Sequence, residues 1–375
     1  MFSHSASQWL TTGDDAFAAM LGAISQAQRE IRMEMYIFED DSIGTAIRNA
    51  LVLAAKRGVK VQLLLDALGC EALPNNYWDD FTQSGGIYRR FNPLELRRLP
   101  VRNHRKLLVC DSDIAFVGGF NIAAHYEGDG VQRGWRDLGV GLCGPIVPAL
   151  AESFDQLFAT AEVRPKRFTN LRRVEQPPAL DPQPGCQLLL GVPGRGRSAI
   201  QSSLIRDLSH AERVRLVVPY FLPGARLRRA IQGVVRRGGR VQLLMPGKTD
   251  VALSKLAAQS LYSRLLRSGI EIFEYQPQIL HAKLFWIDDA VYVGSSNLDT
   301  RSLHLNYELL VRLTDSHSIQ AAQAYVEDSL RFSLPIDPIR WRQSRSLWTR
   351  LHERWAFLLL ARLDPLIARW LTPSE

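Results

Sequence analysis

His104-Arg-Lys-Leu-Leu-Val-Cys-Asp111 and His281-Ala-Lys-Leu-Phe-Trp-Ile-Asp288 carry the same polar set in apolar surroundings: a histidine, a lysine two residues on, and an aspartate five beyond the lysine. Working outward from this pair, three more segments match in the same order. Ile31-Arg-Met-Glu-Met-Tyr-Ile-Phe38 is answered by Val214-Arg-Leu-Val-Val-Pro-Tyr-Phe221. Lys56-Arg-Gly-Val-Lys-Val-Gln-Leu-Leu-Leu65 is answered by Arg236-Arg-Gly-Gly-Arg-Val-Gln-Leu-Leu-Met245, and Val117-Gly-Gly-Phe-Asn121 by Val293-Gly-Ser-Ser-Asn297. The offsets lie between 176 and 183 residues. Four matches in register mean that one unit is used twice.

Each unit alternates helix and strand. Residues 15–30 place apolar side chains at helical spacing, and 31–38 read as an apolar strand. Residues 43–57 are helical again, Gly58 stops that helix, and 59–66 form a second strand. Alternation of this kind predicts an α/β fold with each sheet covered on both faces. Residues 164–185 hold five prolines and few large apolar residues, and read as a linker with the lobe boundary near 175. The expected division is a first lobe over 1–170, a linker over 171–190, a second lobe over 191–335 and a basic, tryptophan-containing tail over 336–375.

The composition of the 375 residues, 46% hydrophobic and 22% charged, belongs to a globular chain and excludes a disordered one. A net charge of +8 favours an anionic partner, nucleic acid or an anionic membrane surface. The four cysteines form no CxxC pair and no histidine stands at zinc spacing, so a metal site is not expected. The first residues lack the basic and apolar regions of a signal peptide, and no run of about 18 apolar residues predicts a transmembrane helix. The expectation is a cytoplasmic protein.

Side chains two apart on a strand share a face, so His104 projects with Lys106 and His281 with Lys283. An ammonium beside an imidazole disfavours its protonation, and the pair makes sense where an anion lies between them. A single such match arises by chance in roughly one chain of this size in fifty on average residue usage. Two matches, each followed by a glycine-containing turn and an asparagine, put a mere surface histidine out of consideration.

These two segments resemble the duplicated HKD motif of the phospholipase D superfamily. The resemblance covers about residues 13–160 and 190–335. It implies two similar lobes, each a mixed sheet flanked by helices, related by pseudo-twofold symmetry with both motifs meeting at one site. It further implies that one histidine, taken as His104, attacks phosphorus and forms a phosphohistidine while His281 acts as acid and base; the reverse assignment stays open. Lys106 and Lys283 then surround the phosphoryl oxygens, with Asn121, Asn297 and Ser295 as hydrogen-bond donors, and this cationic clamp needs neither metal nor cofactor. Asp111 and Asp288 complete the catalytic motif as members that fix turn geometry. In the family each active histidine is braced by an acid some 25 to 35 positions later, which resembles Asp137 for His104 and Glu308 for His281; the alternative is that both are strand-edge charges.

Within the superfamily, Tyr36–Gly44, Trp135–Leu138 continuing to Gly144-Pro145, Val218–Pro223 and Val241–Asp250 are similar to cardiolipin synthases, and the short N-terminus looks like the B type. The resemblance implies transfer of a phosphatidyl group between two phosphatidylglycerols at a cytoplasmic membrane face. A phospholipase D hydrolase and a nucleic-acid phosphodiesterase are the rivals, although no nucleic-acid motif is present. In the tail, Trp341, Trp348 and Trp355 recur every seven residues beside Leu351, Leu358 and Leu359, among Arg342, Arg345, Arg350, Arg354, Arg362 and Arg369, up to a helix-breaking Pro365. This predicts one amphipathic helix, lying in an anionic membrane interface or docked on the lobes or on another subunit.

Overall fold

The computed structural model describes residues 7–92, 101–162, 179–194 and 198–363. The first sheet is built from β1 (Gln8–Leu10), β2 (Glu30–Met35), β3 (Lys60–Asp66), β4 (Ile87–Phe91), β5 (Leu107–Cys110), β6 (Ile114–Gly118) and β7 (Gly139–Cys143), in the order β1-β7-β6-β5-β2-β3-β4. The second lobe supplies β8 (Leu180–Gln183), β9 (Cys186–Gly191), β10 (Arg213–Val217), β11 (Phe221–Leu222), β12 (Arg240–Pro246), β13 (Glu271–Tyr275) and β14 (Leu284–Ile287). It continues with β15 (Ala290–Gly294), β16 (Leu298–Asp299), β17 (Glu308–Leu313) and β18 (Ser333–Pro335). The second large sheet runs β18-β13-β12-β10-β14-β15-β17-β9-β8, and β11 pairs with β16.

The duplication is visible strand by strand. β2, β3 and β4 are parallel, and β5, β6 and β7 then add antiparallel to the β2 side. β10, β12 and β13 are likewise parallel, followed by antiparallel β14, β15 and β17. Helices α1 (Gly13–Gln26), α2 (Ser42–Lys56) and α3 (Asp79–Gln83) cover the outer face of the first sheet, and α4 (Ile146–Glu162) covers its inner face. In the second lobe, α5 (Ala199–Leu208), α6 (Ala225–Arg236) and α7 (Ala252–Arg267) lie outside; a short α8 (Thr300–His304) precedes α9 (Ser316–Arg331), the counterpart of α4. One core joins the lobes, with Leu107, Val109 and Val117 in the same cluster as Leu284, Val293 and Leu309.

Local chemistry explains the shared geometry. Asp41 caps α2 by accepting from the Gly44 amide at 2.8 Å, and Gly58 and Gly238 adopt φ of +88° and +90° to turn each helix back into its strand. Asp111 and Asp288 also adopt positive φ, +54° and +44°. The Asp111 carboxylate accepts from the amides of Gln28, Arg29 and Glu30 at 2.7–2.9 Å, and Asp288 accepts from Glu212 and Arg213. Each motif aspartate thus ties the end of its strand to the start of the neighbouring one.

Two expectations need correction. Residues 180–190 of the expected linker belong to the second lobe: β9 pairs with β17 at the sheet position that β1 holds beside β7. The apolar run Cys186–Leu190, which follows the prolines, forms the strand; the expected boundary near 175 lies outside the described residues. The tail is not one helix but two, α10 (Pro338–Gln343) and α11 (Leu347–Leu358), continued by a π-turn over Leu359–Leu363. Ser344 ends the first, and Ser346 caps the second by accepting from the Thr349 amide at 3.1 Å. The break separates the tryptophans. Trp341 is buried against Tyr262 of α7 with the Arg345 guanidinium stacked on it at 3.5 Å, whereas Trp348 and Trp355 are exposed. α11 docks on α7 through Glu353 and Ala356. Pro365 and Arg369 lie outside the described residues, among which no helix is long and apolar enough to cross a membrane.

Burial raises the Asp111 carboxyl, but the amide bonds from Gln28, Glu30 and Arg29 outweigh it and hold the group below its ordinary value. Its stabilisation is therefore present above about pH 4 and is lost as pH falls through the lower folded value. D111A should lower the unfolding free energy by about 1 to 3 kcal/mol at neutral pH, with the gap to wild type narrowing below about pH 4. Denaturant titrations at the two pH values check this, and an equal loss at both would contradict it.

Candidate active site

The two histidines reach one cleft because each motif leans on the other lobe. Asn103 bridges in parallel to Tyr307 and Leu280 to Arg136; the His104 amide donates to the Tyr307 carbonyl at 3.0 Å, and the His281 amide to the Arg136 carbonyl at 2.8 Å. Beside these bridges His104 Nδ1 lies 3.1 Å from the Glu308 carboxylate, and His281 Nδ1 lies 2.6 Å from Asp137. Chain order had paired Asp137 with His104 and Glu308 with His281. The structure crosses the pairs, because each acid strand meets the opposite lobe's histidine across the pseudo-twofold axis.

With Nδ1 facing a carboxylate, each ring keeps Nε2 for chemistry. Burial is the largest influence on both histidines and holds each below the ordinary imidazole value; Lys283 adds to it at His281, while Asp137 and Glu308 pull the other way. The lysines stand beside them. Lys106 Nζ donates to the His104 carbonyl at 2.7 Å, and Lys283 Nζ lies 2.9–3.1 Å from the His281 ring nitrogens. Burial, then mutual repulsion from Lys283, takes Lys106 down to about 7, and burial takes Lys283 to about 8. Two crowded, dehydrated ammonium groups form a preorganised receptor for an anion.

The remaining expected site residues divide. Asn121 and Asn297 line the cleft; Asn121 Nδ2 donates to Tyr126 Oη at 2.6 Å, while its Oδ1 accepts from the Ile37 amide. Ser295 does not face a phosphate. Its hydroxyl donates to Glu308 at 2.5 Å and accepts from the Leu309 amide, so it steadies the carboxylate beside His104. The matching position is Gly119, where a Cβ would stand 2.1 Å from Asp137 Oδ1. The shorter acid leaves no room for a side chain there. Asp111 and Asp288 lie at the far ends of their strands, tied to backbone amides, and touch no histidine in the contacts described above.

Sequence reasoning missed a buried ionic framework under His104. Glu34 meets Arg105 at 2.8 Å and Asn103 Nδ2 at 3.0 Å, while Asp66 accepts from the Asn103 amide at 2.9 Å and meets Arg102 at 3.3 Å. At the repeat positions of Glu34 and Asp66 the second lobe has Val217 and Pro246, and Leu280 and Ala282 flank His281. A charge in the apolar strand 31–38 was the available signal. The whole cleft, about 360 Å³, is also lined by Tyr36, Tyr220, Asp250, Arg301 and Asn306.

Two lobes of one mixed-sheet plan, with paired histidine–lysine sets converging on a shared anion pocket, define a phospholipase D-like protein. A family model described as "Cardiolipin synthase, PLD-like domain" matches residues 20–127 and 204–330. Cardiolipin synthase A of Pseudomonas aeruginosa is 34% identical over 349 residues, covering 90% of this chain and 69% of that protein. Cardiolipin synthase 2 of Bacillus cereus is 33% identical, covering 96% and 70%. The chain belongs to the cardiolipin synthase family of phospholipase D-like proteins. Among solved structures, phosphatidylserine synthase of Haemophilus influenzae shares the fold with a TM-score of 0.75 at 13% identity over 96% of this chain and 94% of that one. Polyphosphate kinase of Porphyromonas gingivalis follows with a TM-score of 0.59 at 15% identity, over 89% and 49%.

The lowered lysines set a pH limit. Their charge is complete at acid pH and is lost as pH rises through about 7 to 8. The kcat/KM for a phosphodiester substrate should fall along an alkaline limb in that range, measured as a pH profile. A limb near 10, the ordinary lysine value, would contradict the buried clamp.

Proposed function

We propose that this protein is a cardiolipin synthase that moves a phosphatidyl group from one phosphatidylglycerol to another through a phosphohistidine. The observation that carries the reading is the pair of crossed histidine–carboxylate bonds around two buried lysines, in a chain of the cardiolipin synthase family. In the first step His104 Nε2 attacks phosphorus, the bond to the glycerol oxygen breaks, and protonated His281 gives its proton to the leaving alkoxide. In the second, neutral His281 takes the proton from a hydroxyl of the second phosphatidylglycerol, whose oxygen displaces His104. Glu308 and Asp137 hold the two rings in the tautomer this requires. Lys106 and Lys283 balance the charge on the phosphoryl oxygens, and the bound anion offsets the lysines' effect on the imidazoles and raises them toward their working values. Asn121 and Asn297 sit beside that group.

We place the protein peripherally, on the cytoplasmic face of an anionic membrane. Supporting this, Leu347, Trp348, Leu351, Trp355 and Leu358 form an exposed apolar stripe on α11, with Arg350 and Arg354 exposed among them. Leu360, two residues beyond Leu358 and on the packed face with Ala356, lines the cleft, so the end of α11 reaches the cleft.

Purified protein incubated with phosphatidylglycerol vesicles and chelator should yield cardiolipin and glycerol by mass spectrometry. Phosphatidic acid alone would make it a hydrolase, and absence of lipid turnover would favour a nucleic-acid phosphodiester. H104A and H281A should each lower turnover at least a thousandfold; substantial activity in either defeats the two-histidine mechanism. The W348A/W355A double variant should need several-fold more vesicle for half-maximal sedimentation, and unchanged binding would remove α11 from the membrane contact.

A further inference from the structure

The pseudo-symmetry of the catalytic groups is not kept by the walls around them. The first lobe lines the cleft with Tyr36, Ile37, Tyr126 and Trp135, and the second with Tyr220, Asp250, Ser254 and Asn306. In the registers that match Phe38 with Phe221 and Asp137 with Glu308, Ile37 corresponds to Tyr220 and Trp135 to Asn306. An apolar wall therefore faces one rich in hydrogen-bond acceptors.

Two features of the polar wall point to a ligand. Tyr220 Oη donates to both carboxylate oxygens of Asp250, at 2.8 and 2.7 Å, which fixes that carboxylate while leaving it lone pairs for further donors. Asn306 is 8% exposed, lines the same cleft, and its Oδ1 is buried without a partner among the described residues. A buried acceptor of this kind is costly unless something donates to it. Neither phosphate-binding lysine is bonded to it: Lys106 donates to the His104 carbonyl, and Lys283 meets the His281 carbonyl and ring.

We propose that Asp250, held by Tyr220, and Asn306 form the acceptor subsite, binding the polyol headgroup of the second phospholipid through its hydroxyls. This rests on the transfer reaction proposed above. A polyol fits better than an ammonium headgroup because the same wall carries Arg301 and the hydroxyls of Ser254 and Thr300. Hydroxyl oxygens can accept from these groups while their protons satisfy Asp250 and Asn306; an ammonium only donates and leaves the wall's donors unmet. One hydroxyl anchored here leaves its neighbour to attack phosphorus, and holding it in place is what lets transfer outrun water.

The test uses the full chain with phosphatidylglycerol vesicles, following released glycerol and the ratio of cardiolipin to phosphatidic acid. Soluble glycerol, ethanol and ethanolamine are then offered at equal concentration as competing acceptors. Wild type should prefer glycerol. In D250A and N306L the cardiolipin to phosphatidic acid ratio should fall at least tenfold relative to wild type, and the preference for glycerol over ethanol should disappear. Y220F, which keeps the ring and removes the bond to Asp250, should show a smaller shift of the same sign and covers the case of a variant that does not fold. A ratio within twofold of wild type in the folded variants, or a wild-type preference for ethanolamine, would overturn the subsite while leaving the synthase reading intact. No lipid turnover by wild type would remove the synthase reading and this inference with it.

Discussion

The crossed contacts between each histidine and the carboxylate of the other lobe organise everything else in this molecule. His104 and Glu308, and His281 and Asp137, are pairs that neither lobe can form alone. Making them requires the motif segments to run beside the opposite lobe's acid strands, and the parallel bridges at Asn103–Tyr307 and Leu280–Arg136 supply that placement. The bridges in turn need the two inner sheet faces to pack as one core, which the cluster joining Leu107 and Val117 to Leu284 and Leu309 provides. The apolar interior thus carries out two tasks at once: it contributes the burial that stabilises the chain, and it aims four titratable groups at one point.

That same interior makes the site electrostatically demanding. Lys106, Lys283, Asp137 and Glu308 are all buried, and charges taken out of water are tolerated only when they are paired and hydrogen-bonded. Two acids match two lysines, and the charge of a bound phosphodiester is balanced when one histidine takes up a proton. A receptor of fixed, dehydrated groups stabilises a developing charge without the reorganisation that water would need. Ser295 and Gly119 show how finely the acids are accommodated, with a hydroxyl filling the space beside Glu308 and an absent side chain making space for Asp137.

Duplication gave the catalytic groups their symmetry, and divergence has since removed it elsewhere. The loop that carries His104 rests on Glu34, Asp66, Arg102 and Arg105, while the loop that carries His281 is flanked by apolar residues. The cleft walls differ as well, aromatic on one side and acceptor-rich on the other. The reaction proposed above, in which one histidine forms a covalent bond and the other only moves protons, has no need of equal surroundings, and the proposed headgroup site asks for a polar wall on one side only.

Repeated local patterns are what a sequence states by itself, and here they determined a great deal: the two units, their alternating elements, the α/β plan and both His–Lys pairs, while the acids Asp137 and Glu308 came from the family resemblance. Those features depend on spacing along one chain, which periodicity preserves. The helix-stopping Gly58, whose repeat partner Gly238 adopts the same positive φ, was legible for the same reason. Which acid meets which histidine was not, because that depends on how two lobes face each other rather than on order along the chain. Ser295 turned to an acid instead of a phosphate, and the tail broke at two serines so that Trp341 entered the core while Trp348 and Trp355 stayed outside. Each of these was decided by neighbours distant in sequence, and only tertiary packing brings such neighbours within hydrogen-bonding range.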